Sequence, residues 1–131
     1  MVDCILKQNI IMKGLNDLTY EIRGAIFTVY NQPGPGLLES VYQAALVYGL
    51  TTAGYHVLSQ LGLPVRYKSV LLDLGFRIDI LVENEIIIEI KSVEMLHNVH
   101  KKQLLTYLKL SGKKLGILVN FNVDNWLTKK V

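Results

Sequence analysis

Hydrophobic positions recur along this chain at two different periods. Between Asp17 and Asn31, Leu18, Ile22, Ala25, Ile26 and Val29 stand at helical spacing, with Asp17 placed as an N-cap and Pro33-Gly34-Pro35-Gly36 as the turn that stops the helix. A second helix is predicted from about Leu37 to Ala53, with Leu38, Val41, Ala45 and Leu46 as its buried stripe and Gly54 at its end. Beyond Gly54 the texture becomes that of strands: Tyr55–Leu58, Leu63–Tyr67, Val70–Leu72, and, strongest, Phe76–Val82 and Ile86–Lys91. A third helix follows from roughly Asn98 to Leu110, with Leu104, Leu105 and Leu108 facing inward and Ser111-Gly112 closing it. Lys114–Phe121 reads as a last apolar strand, and the tail through Trp126 as another short one. This order predicts an α/β fold, a mixed central β-sheet flanked by α-helices. No glycine-rich phosphate loop follows a strand, which argues against a nucleotide-binding fold. The chain reads as a single domain over residues 1–131, with residues 1–16 as an N-terminal extension.

The two best strands contain charges. Within Phe76–Ser92, FRIDILVENEIIIEIKS, every even position is apolar: Phe76, Ile78, Ile80, Val82, Ile86, Ile88 and Ile90. Successive strand residues point to opposite faces, so these share one face, and Arg77, Asp79, Leu81, Ile87, Glu89 and Lys91 share the other. Keeping both apolar sets on one core requires an odd loop. Glu83-Asn84-Glu85 satisfies this: Val82 then faces Ile86, Asp79 faces Glu89 and Arg77 faces Lys91. Carboxylates about 5 Å apart repel, and one takes up a proton unless a cation lies between them. Charged odd positions are also what a solvated hairpin face displays; Leu81 and Ile87 on that face point instead to partial burial around a polar site.

Composition narrows the setting. Half of the residues are hydrophobic, 19% are charged and the net charge is +3, which excludes wholesale disorder and permits a polyanionic partner without requiring one. The single cysteine, Cys4, excludes an internal disulfide and a cysteine-based zinc site, and a reducing cytoplasm is the expected location. No uncharged apolar run is long enough to span a membrane, and the first residues lack the basic start and clean apolar core of a signal peptide. Lysines gather on and after the third helix, among them Lys101, Lys102 and Lys109; they suit either a solvated surface or a phosphate backbone.

One or two carboxylates with carbonyl and water oxygens form a typical Mg²⁺ site. Asp79 and Glu89 supply the carboxylates and the backbone carbonyl of Ile90 a neutral oxygen. Lys91 adds a positioned charge beside a phosphoryl group, so the spacing permits metal-assisted phosphodiester hydrolysis. Glu39, in the first turn of the second helix, is also where the helix dipole favours an acid. Tyr42 shares its face, and is expected to be structural. On the third helix His100, Gln103 and Tyr107 share a stripe beside the apolar one; their spacing resembles no zinc site.

Asp79 followed by Glu89-Ile90-Lys91 resembles the D…(D/E)xK core of the PD-(D/E)xK nuclease superfamily. Gly36-Leu37-Leu38-Glu39-Ser40-Val41-Tyr42 resembles the motif that names its GxxExxY family, and His100–Tyr107 resembles that family's helical segment, with its Gln-x-x-x-Tyr pattern. The resemblance implies a restriction-endonuclease-like core, with Mg²⁺ or Mn²⁺ as cofactor and nucleic acid, DNA or RNA, as partner. By position it implies Asp79, Glu89 and Glu39 as metal ligands and Lys91 as the active-site lysine. Gln103 and Tyr107 are implied to brace the site or meet the substrate backbone, with His100 and Lys102 beside them. The alternative is a non-catalytic nucleic-acid-binding or complex-forming module of the same fold. Homo-oligomerisation is left open.

Overall fold

A computed structural model describes residues 2–6 and 13–123, with side chains described from Asp17 to Val123. The elements run β1 (Val2–Leu6), α1 (Lys13–Asn31), α2 (Glu39–Thr52), β2 (Val57–Gly62), β3 (Val65–Tyr67), β4 (Val70–Leu72), β5 (Arg77–Val82), β6 (Ile86–Lys91), α3 (Asn98–Ser111) and β7 (Leu115–Asn120). The strand expected near Trp126 falls outside the described residues.

Five strands form one sheet in the order β1-β7-β6-β5-β2, and β3 and β4 form a separate two-stranded ribbon. Only β6 and β7 pair in parallel within the sheet; β1–β7, β5–β6 and β2–β5 are antiparallel. The parallel pair requires a crossover, and α3 is that crossover. This is the mixed sheet flanked by helices that the sequence pattern predicts. Val2–Leu6 adds the edge strand beside β7, before the first predicted helix begins.

Two cores sandwich the sheet. On one side α1 and α2 contribute Ile22, Ile26, Tyr42 and Leu46, which pack with Ile80, Val82, Ile86, Ile88 and Ile90. On the other, Leu104, Tyr107 and Leu108 of α3 pack with Leu81, Ile87 and Leu118. β6 is therefore buried on both faces, which explains its almost unbroken run of isoleucine. The close approach of α3 depends on Gly116, where an added Cβ would lie 2.7 Å from Leu104 Cδ1.

The β5–β6 connection occupies Glu83-Asn84-Glu85, and Val82 faces Ile86, Leu81 faces Ile87 and Ile80 faces Ile88, as the parity argument requires. Glu83 and Asn84 both take left-handed backbone conformations, with φ of 53° and 54°. Glu83 is held there by His56: its N–H donates to the His56 carbonyl and its Oε1 accepts from the His56 N–H, both at 2.8 Å.

Four expectations need correction. Asp17 is not an N-cap, because α1 begins at Lys13 and encloses it. In α2 the buried stripe is Tyr42, Leu46 and Leu50; Leu38 is 75% exposed and Val41 is exposed as well. That helix is apolar around most of its circumference, so periodicity fixes its phase poorly, and Tyr42 enters the core because its hydroxyl finds partners there. Leu105 of α3 is exposed, its expected place being filled by Tyr107. Ile78 and Phe76 join the α3 core and not the α1/α2 core. The alternation of β5 slips between Ile80 and Ile78, opposite the point where β2 carries Gln60 at φ 50°.

Candidate active site

The ladder between β5 and β6 has its last register pair at Ile80 and Ile88, and one residue further on the two carboxylates take over. Asp79 N–H donates to Glu89 Oε1 at 3.0 Å, and Ile90 N–H donates to Asp79 Oδ2 at 2.9 Å. Each strand thus offers an amide to the other's carboxylate where a strand pair would normally offer a carbonyl. This exchange satisfies backbone donors that would otherwise be buried without partners, and it locks the acids against each other across the sheet.

Glu89 is only 2% exposed. Burial is the main reason its pKa is pushed up to about 8; repulsion from Asp79 adds to the rise, while the Asp79 N–H and the charge of Lys91 oppose it. Without a further positive charge, the site therefore holds a proton at neutral pH. Lys91 at the end of β6 is half-buried, and its carbonyl accepts from Phe121 N–H at 2.9 Å.

The segment after Lys91 is clamped from three sides. Ser92 N–H donates to Glu39 Oε2 at 3.1 Å, and Ser92 Oγ donates to the Leu37 carbonyl at 2.6 Å. Asn120, 1% exposed at the end of β7, accepts from Val93 N–H at 3.1 Å and donates to the Val93 carbonyl at 2.8 Å. Glu39 therefore begins α2 with its carboxylate turned to β6. Leu38, the residue before it, makes no side-chain cap.

The loop before Glu39 is pinned by Tyr42. Its hydroxyl donates to the Gly34 carbonyl at 2.6 Å and accepts from Leu37 N–H at 3.0 Å, while its ring stacks on Phe121 at 4.3 Å between centroids. Gly36 has φ 89°, a left-handed conformation that glycine adopts without strain. The spacing of Gly36, Glu39 and Tyr42 thus has a mechanical meaning: a turn, an acid presented to β6, and an anchor for both.

On α3, His97 N–H donates to His100 Nδ1 at 2.9 Å. Desolvation together with the charges of Lys91 and His97 lowers the His100 pKa, and Glu39 opposes the shift. His100 therefore lies within electrostatic reach of both Lys91 and Glu39. Gln103 Nε2 donates to the Tyr107 hydroxyl at 3.1 Å, and Tyr107 is buried with its ring tilted against Phe76. Lys102 is exposed on the same helix.

Two residues beside Asp79 carry no motif. Gln60 Nε2 donates to Asp79 Oδ1 at 3.3 Å and to Gln43 Oε1 at 2.7 Å. Neither glutamine stands out in a weakly patterned strand and a mostly apolar helix. Ser92 and Asn120 carry no motif either, although Asn120 interrupts an apolar strand run just as Asp79 does.

The donor set fits a hard divalent cation. Half-buried Asp79 and buried Glu89 meet across two strands, and burial with their mutual repulsion raises the Glu89 pKa, which a cation would relieve. Among the described residues, no group of three or more His, Cys, Asp or Glu comes together to hold a metal, so Glu39, whose carboxylate accepts from Ser92 N–H, does not join Asp79 and Glu89 as a third ligand in one cluster. Comparison with known families agrees with this geometry: a model of the PD-(D/E)XK nuclease superfamily matches residues 16–130. The chain belongs to the PD-(D/E)XK nuclease superfamily. No curated protein and no solved structure matches it. For a member of this superfamily the mixed sheet is the restriction-endonuclease-like core, and membership points to nuclease-like chemistry with a divalent metal and a nucleic-acid substrate. Among the described residues, no helix is long and apolar enough to cross a membrane.

Proposed function

We propose that the protein is a Mg²⁺- or Mn²⁺-dependent nuclease of the GxxExxY type that hydrolyses DNA or RNA phosphodiester bonds in a reducing cytoplasm. The observation that carries this reading is the meeting of Asp79 and Glu89 across adjacent strands, Glu89 buried and accepting from the Asp79 amide, Asp79 accepting from the Ile90 amide. Asp79 and Glu89 would hold the ion, with the Ile90 carbonyl as a further oxygen and Glu39 reaching it through water. The bound ion supplies charge neutralisation at the phosphoryl oxygens and lowers the pKa of water. Lys91 contributes a positive charge to the same phosphoryl group and orients the attacking water. Glu39 and Asn120 keep the backbone around Lys91 in place through Ser92 and Val93. Gln103 acts with Tyr107 to brace α3 beside the sheet, and His100 and Lys102 face the substrate backbone.

A cleavage assay on single- and double-stranded DNA and RNA tests the proposal. Metal-dependent cleavage that disappears in Asp79→Ala and Lys91→Ala supports it; equal residual activity in wild type and both variants refutes it. The alternative, a nucleic-acid-binding or complex-forming module, draws on the exposed apolar ribbon β3–β4 with Tyr67, Val70 and Leu71. Salt-sensitive binding with no metal-dependent cleavage would favour that alternative.

A further inference from the structure

A groove of about 610 Å³ runs between the outer side of α2 and β2, lined by Ser40, Gln43, Tyr48, Thr51 and Ser59 among others. It opens beside the active site in two ways. Ser40 follows Glu39 directly in sequence, and Gln43 is joined through Gln60 to Asp79 by two hydrogen bonds, 2.7 and 3.3 Å long.

The lining is informative for what it contains and for what it lacks. It sets Ala44 and Val47 beside hydroxyls and an amide and holds no charged side chain, so it suits an apolar ring with polar edges and is not a track for phosphates. Tyr48, 74% exposed, lines it with an aromatic surface open to solvent. The volume is that of a pocket for one small organic group. Hydroxyls and an amide meet sugar and base edges, while an aromatic face stacks on any base.

We propose that this groove receives the unpaired nucleoside that adjoins the scissile phosphate, so that the enzyme acts on single-stranded or frayed nucleic acid. The inference rests on the nuclease reading above and assigns its substrate class. A paired base within a duplex keeps its ring faces stacked on its neighbours; only an unpaired one can turn a face to Tyr48. The strand's phosphates then stay with the metal ligands and Lys91, and one base lies along α2. Either sugar fits these contacts, so DNA and RNA are both tested.

The test is fluorescence anisotropy of the full chain with single-stranded DNA, single-stranded RNA and blunt duplex DNA of one sequence, with Ca²⁺ in place of Mg²⁺ to hold back cleavage. Tyr48→Ala should weaken single-strand binding about tenfold and leave duplex binding unchanged, and Tyr48→Phe should stay within about twofold of wild type. Tyr48 is exposed, so both variants should match the wild-type melting temperature. An equal change for single strand and duplex, or none for either, would overturn the groove assignment while leaving the nuclease reading intact. Failure of the wild type to bind any of the three would overturn both.

Discussion

At the turn end of the β5–β6 hairpin, Ile80, Leu81 and Val82 face Ile88, Ile87 and Ile86, and all six side chains are buried. At the open end, one residue beyond Ile80 and Ile88, the facing groups are two carboxylates, Glu89 accepting from the Asp79 amide and Asp79 from the Ile90 amide. The same two strands thus hold a dry apolar ladder and an ionisable pair within a few residues. The difference shows how a buried acid is tolerated. The apolar end fixes the strands rigidly enough for the polar end to exchange hydrogen bonds in one geometry, and the desolvation cost appears as a raised pKa at Glu89 in place of an unsatisfied amide.

The comparison breaks most sharply at Asp79. Asp79→Ala should reduce cleavage about a thousandfold or more while circular dichroism shows the fold retained. At the other end, Ile88→Ala opens a cavity between strand and helices and should cost about 3 kcal/mol in denaturant unfolding, with metal affinity of the folded protein little changed. If instead each variant damages both properties equally, the two ends are not separable.

Glu89 sharpens the contrast through pH. Its folded pKa lies above its unfolded value, so between about 4.5 and about 8 the folded state holds the extra proton. Metal-free stability should therefore be greatest below that window and fall as pH rises through it, by up to about 5 kcal/mol. Glu89→Gln should flatten that decline, and Mg²⁺ should reduce it in the wild type by stabilising the ionised form; thermal melts across pH with and without Mg²⁺ measure both. The smallest effect is expected from Tyr42→Phe, which keeps the ring on Phe121 but removes the two hydrogen bonds of the hydroxyl. About 1 kcal/mol of stability should be lost, with a measurable drop in activity as the loop before Glu39 loosens.

Much of the hairpin was legible because strand alternation is a strict rule: an odd loop and the pairing of Val82 with Ile86 follow from where the apolar residues stand. The rule failed at Ile78, which joins the other core beside a left-handed residue on the neighbouring strand, and no composition signal marks Gln60 for that conformation. Helix phase was less legible. At and just before the start of α2, Leu38 and Val41 are as greasy as Leu46 and Leu50, yet Tyr42, with its hydroxyl bonded and its ring stacked on Phe121, lies on the buried side. Asp79, Glu89 and Lys91 announced themselves as charges inside strands. Ser92 and Gln60 each act through two hydrogen bonds to residues more than 15 positions away, and such pairings leave no local pattern.

The hold of Asn120 on Val93 also has a consequence for the timing of assembly. β6 borders β7 along its whole length, and the turn after Lys91 is fastened by a side chain that lies near the far end of the chain. The loop before Glu39 reaches the same turn from more than 50 residues upstream. Such non-local closures form late, because distant segments must meet before any contact rewards them. During synthesis the carboxylate-bearing strands emerge well before β7, so an elongating chain carries the ingredients of the site without its framework until residue 120 is free to fold.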